Sequence, residues 1–130
     1  MMARPNLPKP TDAELAILAV LWRHGPSTVR QVHDAISAVR ETGYTTILKM
    51  LQIMTEKGLV RRDQSNRSHV YAARIPQERT QAQLVNDLLD KAFEGSSARL
   101  VMSALSHKPA SAEELAEIRK LLKRLEGGAS

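Results

Sequence analysis

Eight consecutive apolar residues, Leu15–Trp22, form the longest such run in the 130-residue chain, and their frame constrains the fold more than their composition does. Thr11-Asp12-Ala13-Glu14 stands before them at capping-box spacing, a hydroxyl for the N3 amide and a carboxylate reaching back. Gly25-Pro26 follows. Read alone, eight apolar residues fit a buried strand as well as a helix. With a cap before and a breaker behind, they make a helix, apolar nearly all round and therefore inside its domain. Upstream, Pro5, Pro8 and Pro10 predict an extended arm. The run is too short to cross a bilayer, and Met1-Met2-Ala3-Arg4-Pro5 opens no apolar signal region, so a cytoplasmic protein is expected.

A second helix is predicted directly afterwards. Ser27 or Thr28 caps it, Thr28 with Gln31 forming another box, and Val29, Val32, Ile36 and Val39 recur at helical spacing. Arg40-Glu41-Thr42-Gly43 breaks it. A third helix spans Tyr44 to Lys57, with Ile47, Leu48, Leu51 and Met54 inward and Gly58 at its end. Two stretches of strand character, Leu59–Asp63 and Ser68–Ala73, flank Gln64-Ser65-Asn66-Arg67, a turn in which Asn66 suits a left-handed position. Trp22, Met50 and Met54 read as core.

Past Ile75-Pro76 the pattern is purely helical. Leu84, Val85, Leu88, Leu89, Ala92 and Phe93 mark one helix stopped by Gly95, and Leu100, Val101, Ala104 and Leu105 a shorter one. Ser111 and Glu114 box the start of a last helix carrying Leu115, Ile118, Leu122 and Leu125, with Gly127-Gly128 ending it. About fifty residues in three helices make a thin core, since chains of roughly 40 to 60 residues usually need staples or a partner. The doubled apolar rows therefore predict dimerisation through Leu84, Leu88, Leu89, Phe93, Leu100, Leu115, Ile118, Leu122 and Leu125, with packing back onto the N-terminal part as the alternative.

Charge divides along the same line. Residues 1–75 hold 11 Lys and Arg against 6 Asp and Glu, while residues 76–130 hold 8 of each. All the excess positive charge is N-terminal, where it suits a polyanion. There is no Cys, which excludes disulfides, thiolate metal sites and a thiol nucleophile together. His24, His33, His69 and His107 show no ligand spacing, and neither a nucleophile elbow nor a phosphate loop is present. No enzyme, metal site or cofactor is expected.

Three helices, a short turn before the third, and then a two-stranded ribbon are the order of a winged helix-turn-helix, with one helix shaped for a major groove and a basic ribbon reaching the neighbouring backbone. Thr45, Lys49, Gln52 and Glu56 share the outward face of the third helix, with Thr46 beside the first. Hydroxyls, an ammonium and an amide bond base edges and phosphates. The ribbon adds Arg61, Arg62, Arg67 and His69. The predicted fold class is mainly α with a small two- or three-stranded β wing. Residues 1–75 form the winged helix-turn-helix and 76–130 an all-helical dimerisation region.

The stretch Thr11–Tyr71 resembles the N-terminal domain of the penicillinase-repressor family of bacterial transcription regulators. The likeness rests on Thr11-Asp12-Ala13-Glu14-Leu15 with Leu21-Trp22, Thr28-Val29-Arg30-Gln31-Val32, Tyr44-Thr45-Thr46-Ile47 with Leu51, Lys57-Gly58-Leu59-Val60, and Arg67 to Tyr71. It continues loosely into the C-terminal helices. The resemblance implies a homodimeric repressor on a palindromic operator of double-stranded DNA, with Thr45, Thr46 and Lys49 in the groove and Arg67 on the wing. Thr28 and Arg30, in the matching second-helix segment, join these candidate DNA contacts. It also implies relief when a membrane-bound sensor metalloprotease leads to cleavage of the C-terminal helices at an Asn–Phe bond. The corresponding stretch, Val101-Met102-Ser103-Ala104-Leu105, holds no such pair. The copper-sensing branch of the family uses a C-terminal cysteine cluster, and without Cys that mode is excluded. A reading from a different class is a winged-helix module for protein–protein assembly. It calls for an apolar third-helix face; Lys49, Gln52 and the wing arginines argue for DNA, and Ile53 fits DNA worst.

Overall fold

A computed structural model describes residues 8–65 and 67–128. The expected arm up to residue 7 and the conformation of Asn66 lie outside the described residues. The elements run α1 (Asp12–His24), β1 (Ser27–Thr28), α2 (Val29–Ser37), α3 (Tyr44–Lys57), β2 (Val60–Asp63), β3 (Val70–Ala73), α4 (Gln77–Ala92), α5 (Ser97–His107) and α6 (Ala112–Gly128).

Local chemistry accounts for most boundaries. Thr11 Oγ1 accepts from the Glu14 amide at 3.2 Å, and Glu14 Oε1 accepts from the Thr11 amide at 2.9 Å. Thr28 with Gln31 and Ser111 with Glu114 repeat the arrangement at α2 and α6. Gly58 closes α3 at φ +83°, a left-handed conformation that glycine adopts without a Cβ clash.

Four boundaries differ from the sequence expectation. α2 stops at Ser37, and the Val39 and Arg40 amides both turn back to the Ile36 carbonyl. Val39 has left the helical period by then and is 88% exposed, not inward. Gly127 and Gly128 belong to α6 instead of ending it, since nothing at an exposed last turn forces an earlier stop. The two strands start at Val60 and Val70, later than expected, although the Leu59 carbonyl still accepts from the Arg74 amide at 3.0 Å beside the ladder.

The sheet has three antiparallel strands in the order β1-β3-β2. The third strand is the pair Ser27–Thr28, read from sequence only as a helix cap; it meets Tyr71 and Val70 while Thr28 also starts α2. β2 pairs β3 with Arg61 opposite Ala72 and Arg62 opposite Tyr71.

Contacts divide the chain into two compact units, one ending at Leu84 and the other beginning at Val85, a boundary within α4. The core lies in the first. Ile17, Leu18 and Leu21 of α1, Val29, Val32 and Ile36 of α2, and Ile47, Leu51 and Met54 of α3 close around Leu59, Val60 and Tyr71. Burying each Leu, Ile or Met contributes about 1.5–3 kcal/mol. Trp22, half-buried, donates its indole N–H to the Ile75 carbonyl at 3.0 Å and ties α1 to the chain leaving β3. Glu14 is buried, and Lys57 at the end of α3 donates to both its oxygens at 2.9 and 3.0 Å. Burial pushes the Glu14 carboxyl up, but the hydrogen bonds from Lys57 and the Thr11 amide outweigh it and hold the group below the usual carboxylate range.

The second unit is different in kind. No residue from 85 to 128 is buried. Among the described residues, no helix is long and apolar enough to cross a membrane.

Candidate nucleic-acid interface

The outward side of α3 follows from its inward side. With Ile47, Leu51 and Met54 in the core, the helical period leaves Thr45, Thr46, Lys49, Gln52 and Glu56 exposed, as expected. Leu48 and Met50 are half-buried at the margins of the stripe. Ile53, 41% exposed, lies among the polar groups. Lys49 makes no ion pair among the described residues, so its ammonium is available to a phosphate or a base edge. Gly43, at the N-cap of α3, provides no side-chain bond to the first amides, which leaves the positive end of the helix dipole open to an anion.

The other candidates fall into two groups. Thr28, Arg30, Arg67 and His69 line a single hollow of about 460 Å³, with Tyr44, Leu48, Ser68 and Tyr71 among its walls. The start of α2, the start of α3 and the wing therefore converge, bringing Arg30 and Arg67 to one place from segments far apart in sequence. Arg61 and Arg62 are not part of it. They line a separate hollow of about 360 Å³ with Pro26, Asp63, Val70 and Ala72. Register explains the split, since both arginines sit on β2 across β3 from β1. At the wing turn the Ser65 amide donates to Asp63 Oδ1 at 2.9 Å and holds the Asp63 carboxyl below its ordinary range.

Three contributors escaped the sequence reading. Tyr44, at the first position of α3, carries the Arg30 guanidinium 5.7 Å from its ring centroid. Its ring also meets His33 edge-on, with centroids 5.9 Å apart. His33 Nε2 lies 2.8 Å from the Thr42 carbonyl, in the turn before α3. Nothing periodic links His33 to Thr42, so no spacing could have revealed that bond. Among the described residues no group of three or more His, Asp or Glu is placed to hold a metal ion.

Three helices closed by a three-stranded antiparallel sheet, with a polar third-helix face beside a basic wing, define a winged helix-turn-helix protein. The chain belongs to the penicillinase repressor family, whose pattern it matches over residues 10–124. It is 38% identical over 120 residues to the transcriptional regulator BlaI of Mycobacterium tuberculosis, covering 90% of this chain and 85% of that one. The solution structure of the DNA-binding domain of the repressor BlaI superposes with a TM-score of 0.50 at 27% identity, over 57% of this chain and 90% of that one. Bacillus licheniformis BlaI, solved as a monomeric form in complex with the blaP half-operator, superposes equally well (TM-score 0.50, 27% identity, 56% and 89% covered). The chain is thus a transcriptional repressor of the BlaI type, in a family without enzymatic activity.

Proposed function

We propose that this repressor binds a palindromic operator in double-stranded DNA as a homodimer and acts in the cytoplasm. Thr45, Thr46, Lys49 and Gln52 enter the major groove, and Thr28, Arg30, Arg67 and His69 meet the adjoining backbone. Arg61 and Arg62 extend the wing's positive field. The observation that carries this reading is the hollow in which α2, α3 and the wing bring Arg30, Arg67 and His69 around the open start of α3. The half-operator complex of the B. licheniformis relative supports it.

Dimerisation is supported by the second unit, where Leu88, Leu122 and Leu125 are 45%, 53% and 60% exposed and Leu84, Leu89, Phe93, Leu100, Leu115 and Ile118 are only half-buried. Val85, Val101, Met102 and Leu121 extend that apolar surface beyond the dimerisation residues expected from sequence. A two-fold dimer covers such rows and sets two half-sites at a fixed spacing.

Relief through a membrane-bound sensor metalloprotease is the mode of induction that the family resemblance implies. If this chain is switched by proteolysis, the cut uses a bond other than Asn–Phe, within Pro76–Ala110, and parts the winged helix from α6. Immunoblots before and after induction test this: intact chain on derepression removes proteolysis from the account.

Substitution separates groove contacts from backbone contacts. Lys49→Ala costs about 1–3 kcal/mol and relaxes preference at one base pair per half-site. Arg67→Ala weakens all duplexes about equally and lowers the salt slope by roughly 1 per protomer. Anisotropy titrations at two salt concentrations read both. If neither folded variant differs from wild type, the basic face is a solvated surface and the assembly-module reading takes its place.

A further inference from the structure

The Thr42 carbonyl, last but one before α3, receives two side chains of α2. His33 Nε2 lies 2.8 Å from it and the Ser37 hydroxyl donates at 3.4 Å. A carbonyl only accepts, so Nε2 carries a proton. Nδ1 is then buried with no hydrogen-bond partner, 3.4 Å from the nearer Asp34 carboxylate oxygen. The same imidazole presents its ring to the Tyr44 ring at 64°. One α2 side chain therefore holds both the turn before α3 and the first residue of α3, at a helix start whose N-cap, Gly43, has no side chain to anchor it.

Building on the DNA reading above, we propose that His33 is a positioning residue for operator recognition. It touches no base or phosphate. Acting through Thr42 and Tyr44, it fixes where α3 begins and how its first turn is rotated, and so where Thr45, Thr46 and Lys49 stand in the groove. The core side chains Ile47, Leu51 and Met54 settle which face of α3 points inward, but they begin one turn later. A base contact depends on placement to within a few tenths of an ångström, whereas a long Arg or Lys reaching a phosphate does not. Loosening this hold should therefore erode discrimination between sequences before it erodes general affinity for DNA.

The test uses the full chain and two duplexes: one enriched by the wild-type protein from a randomised pool, and a scrambled duplex of equal length. His33→Gln returns an amide nitrogen to the place of Nε2, whereas His33→Asn stops at the place of Nδ1 and cannot reach Thr42. The loss of one hydrogen bond to a backbone carbonyl corresponds to roughly a three- to tenfold fall in the affinity ratio between the two duplexes for His33→Asn. His33→Gln keeps the ratio within about twofold, and affinity for the scrambled duplex is unchanged in both. A merely structural role would lower the melting temperature and leave the ratio alone. If His33→Asn does not fold, Ser37→Ala, at an exposed position, substitutes for it. Faster amide exchange over Ile47–Lys49 together with a roughly twofold lower ratio then supports the proposal. An unchanged ratio in the folded His33→Asn protein, or no change of either kind in Ser37→Ala, overturns it. Wild-type protein that enriches no sequence overturns sequence-specific binding itself, an outcome distinct from a wild type that selects a duplex which His33→Asn discriminates equally well.

Discussion

The two units of this chain are built from similar helices and reach opposite ends. In α1 to α3 the apolar rows close on one another, leaving Leu51, Val32 and Met54 with no exposed surface. In α5 and α6 comparable rows leave nothing buried, and α4 buries only Thr80, on the N-terminal side of the boundary. An amphipathic pattern records that a helix has a face to cover, not what covers it. The first unit has its cover within the chain, in β2 and β3. The second has exposed leucines, consistent with a cover supplied by another copy.

That contrast is sharpest in the largest substitution effects. Leu51→Ala, in the middle of the packed core, should destabilise the first unit by about 2–5 kcal/mol in urea unfolding, independently of protein concentration. Leu122→Glu should barely change unfolding of the isolated protomer, but it places a charge twice in the proposed symmetric interface. Association should weaken roughly a hundredfold or more by sedimentation, with operator affinity falling as the half-sites lose their linkage. A Leu122→Glu protein that stays dimeric removes α6 from the interface and undoes the comparison.

A smaller effect probes how the first unit is held apart from its apolar core. Glu14→Gln removes the charge and one of the two acceptor oxygens from the tie between α1 and the end of α3. It should cost about 1–3 kcal/mol, limited because Lys57 is partly exposed and can turn to water. The folded-state Glu14 carboxyl lies below its unfolded value. The stability it contributes is therefore present above the unfolded pKa and is lost as pH falls through the folded one. Acid titration of unfolding should show this loss in wild type and a flatter profile in Glu14→Gln. Equal profiles would assign the tie no net stabilising role.

Much of the candidate interface could be read from residues. Thr45, Lys49 and Gln52 oppose an apolar stripe, so their exposure is legible in the sequence. The grouping of Arg30 with Arg67 and the separation of Arg61 and Arg62 were not legible, because strand order and register decide them. Val39 misled for a related reason: its spacing continued a helix that the chain had already left to make the turn.

Sequence alone determined where most helices begin and what kind of element each segment becomes. Caps such as Thr11 with Glu14, and the glycine closing α3, act within one turn of chain, so nearby residues suffice. Only the tertiary structure decided that Ser27 and Thr28 complete a sheet, that Lys57 reaches Glu14 across 43 residues, and that His33 grips the turn before α3. Each of those bonds joins groups with no fixed spacing. They form because burial of the shared core brings the segments together, at a cost in chain entropy that the local signals do not encode.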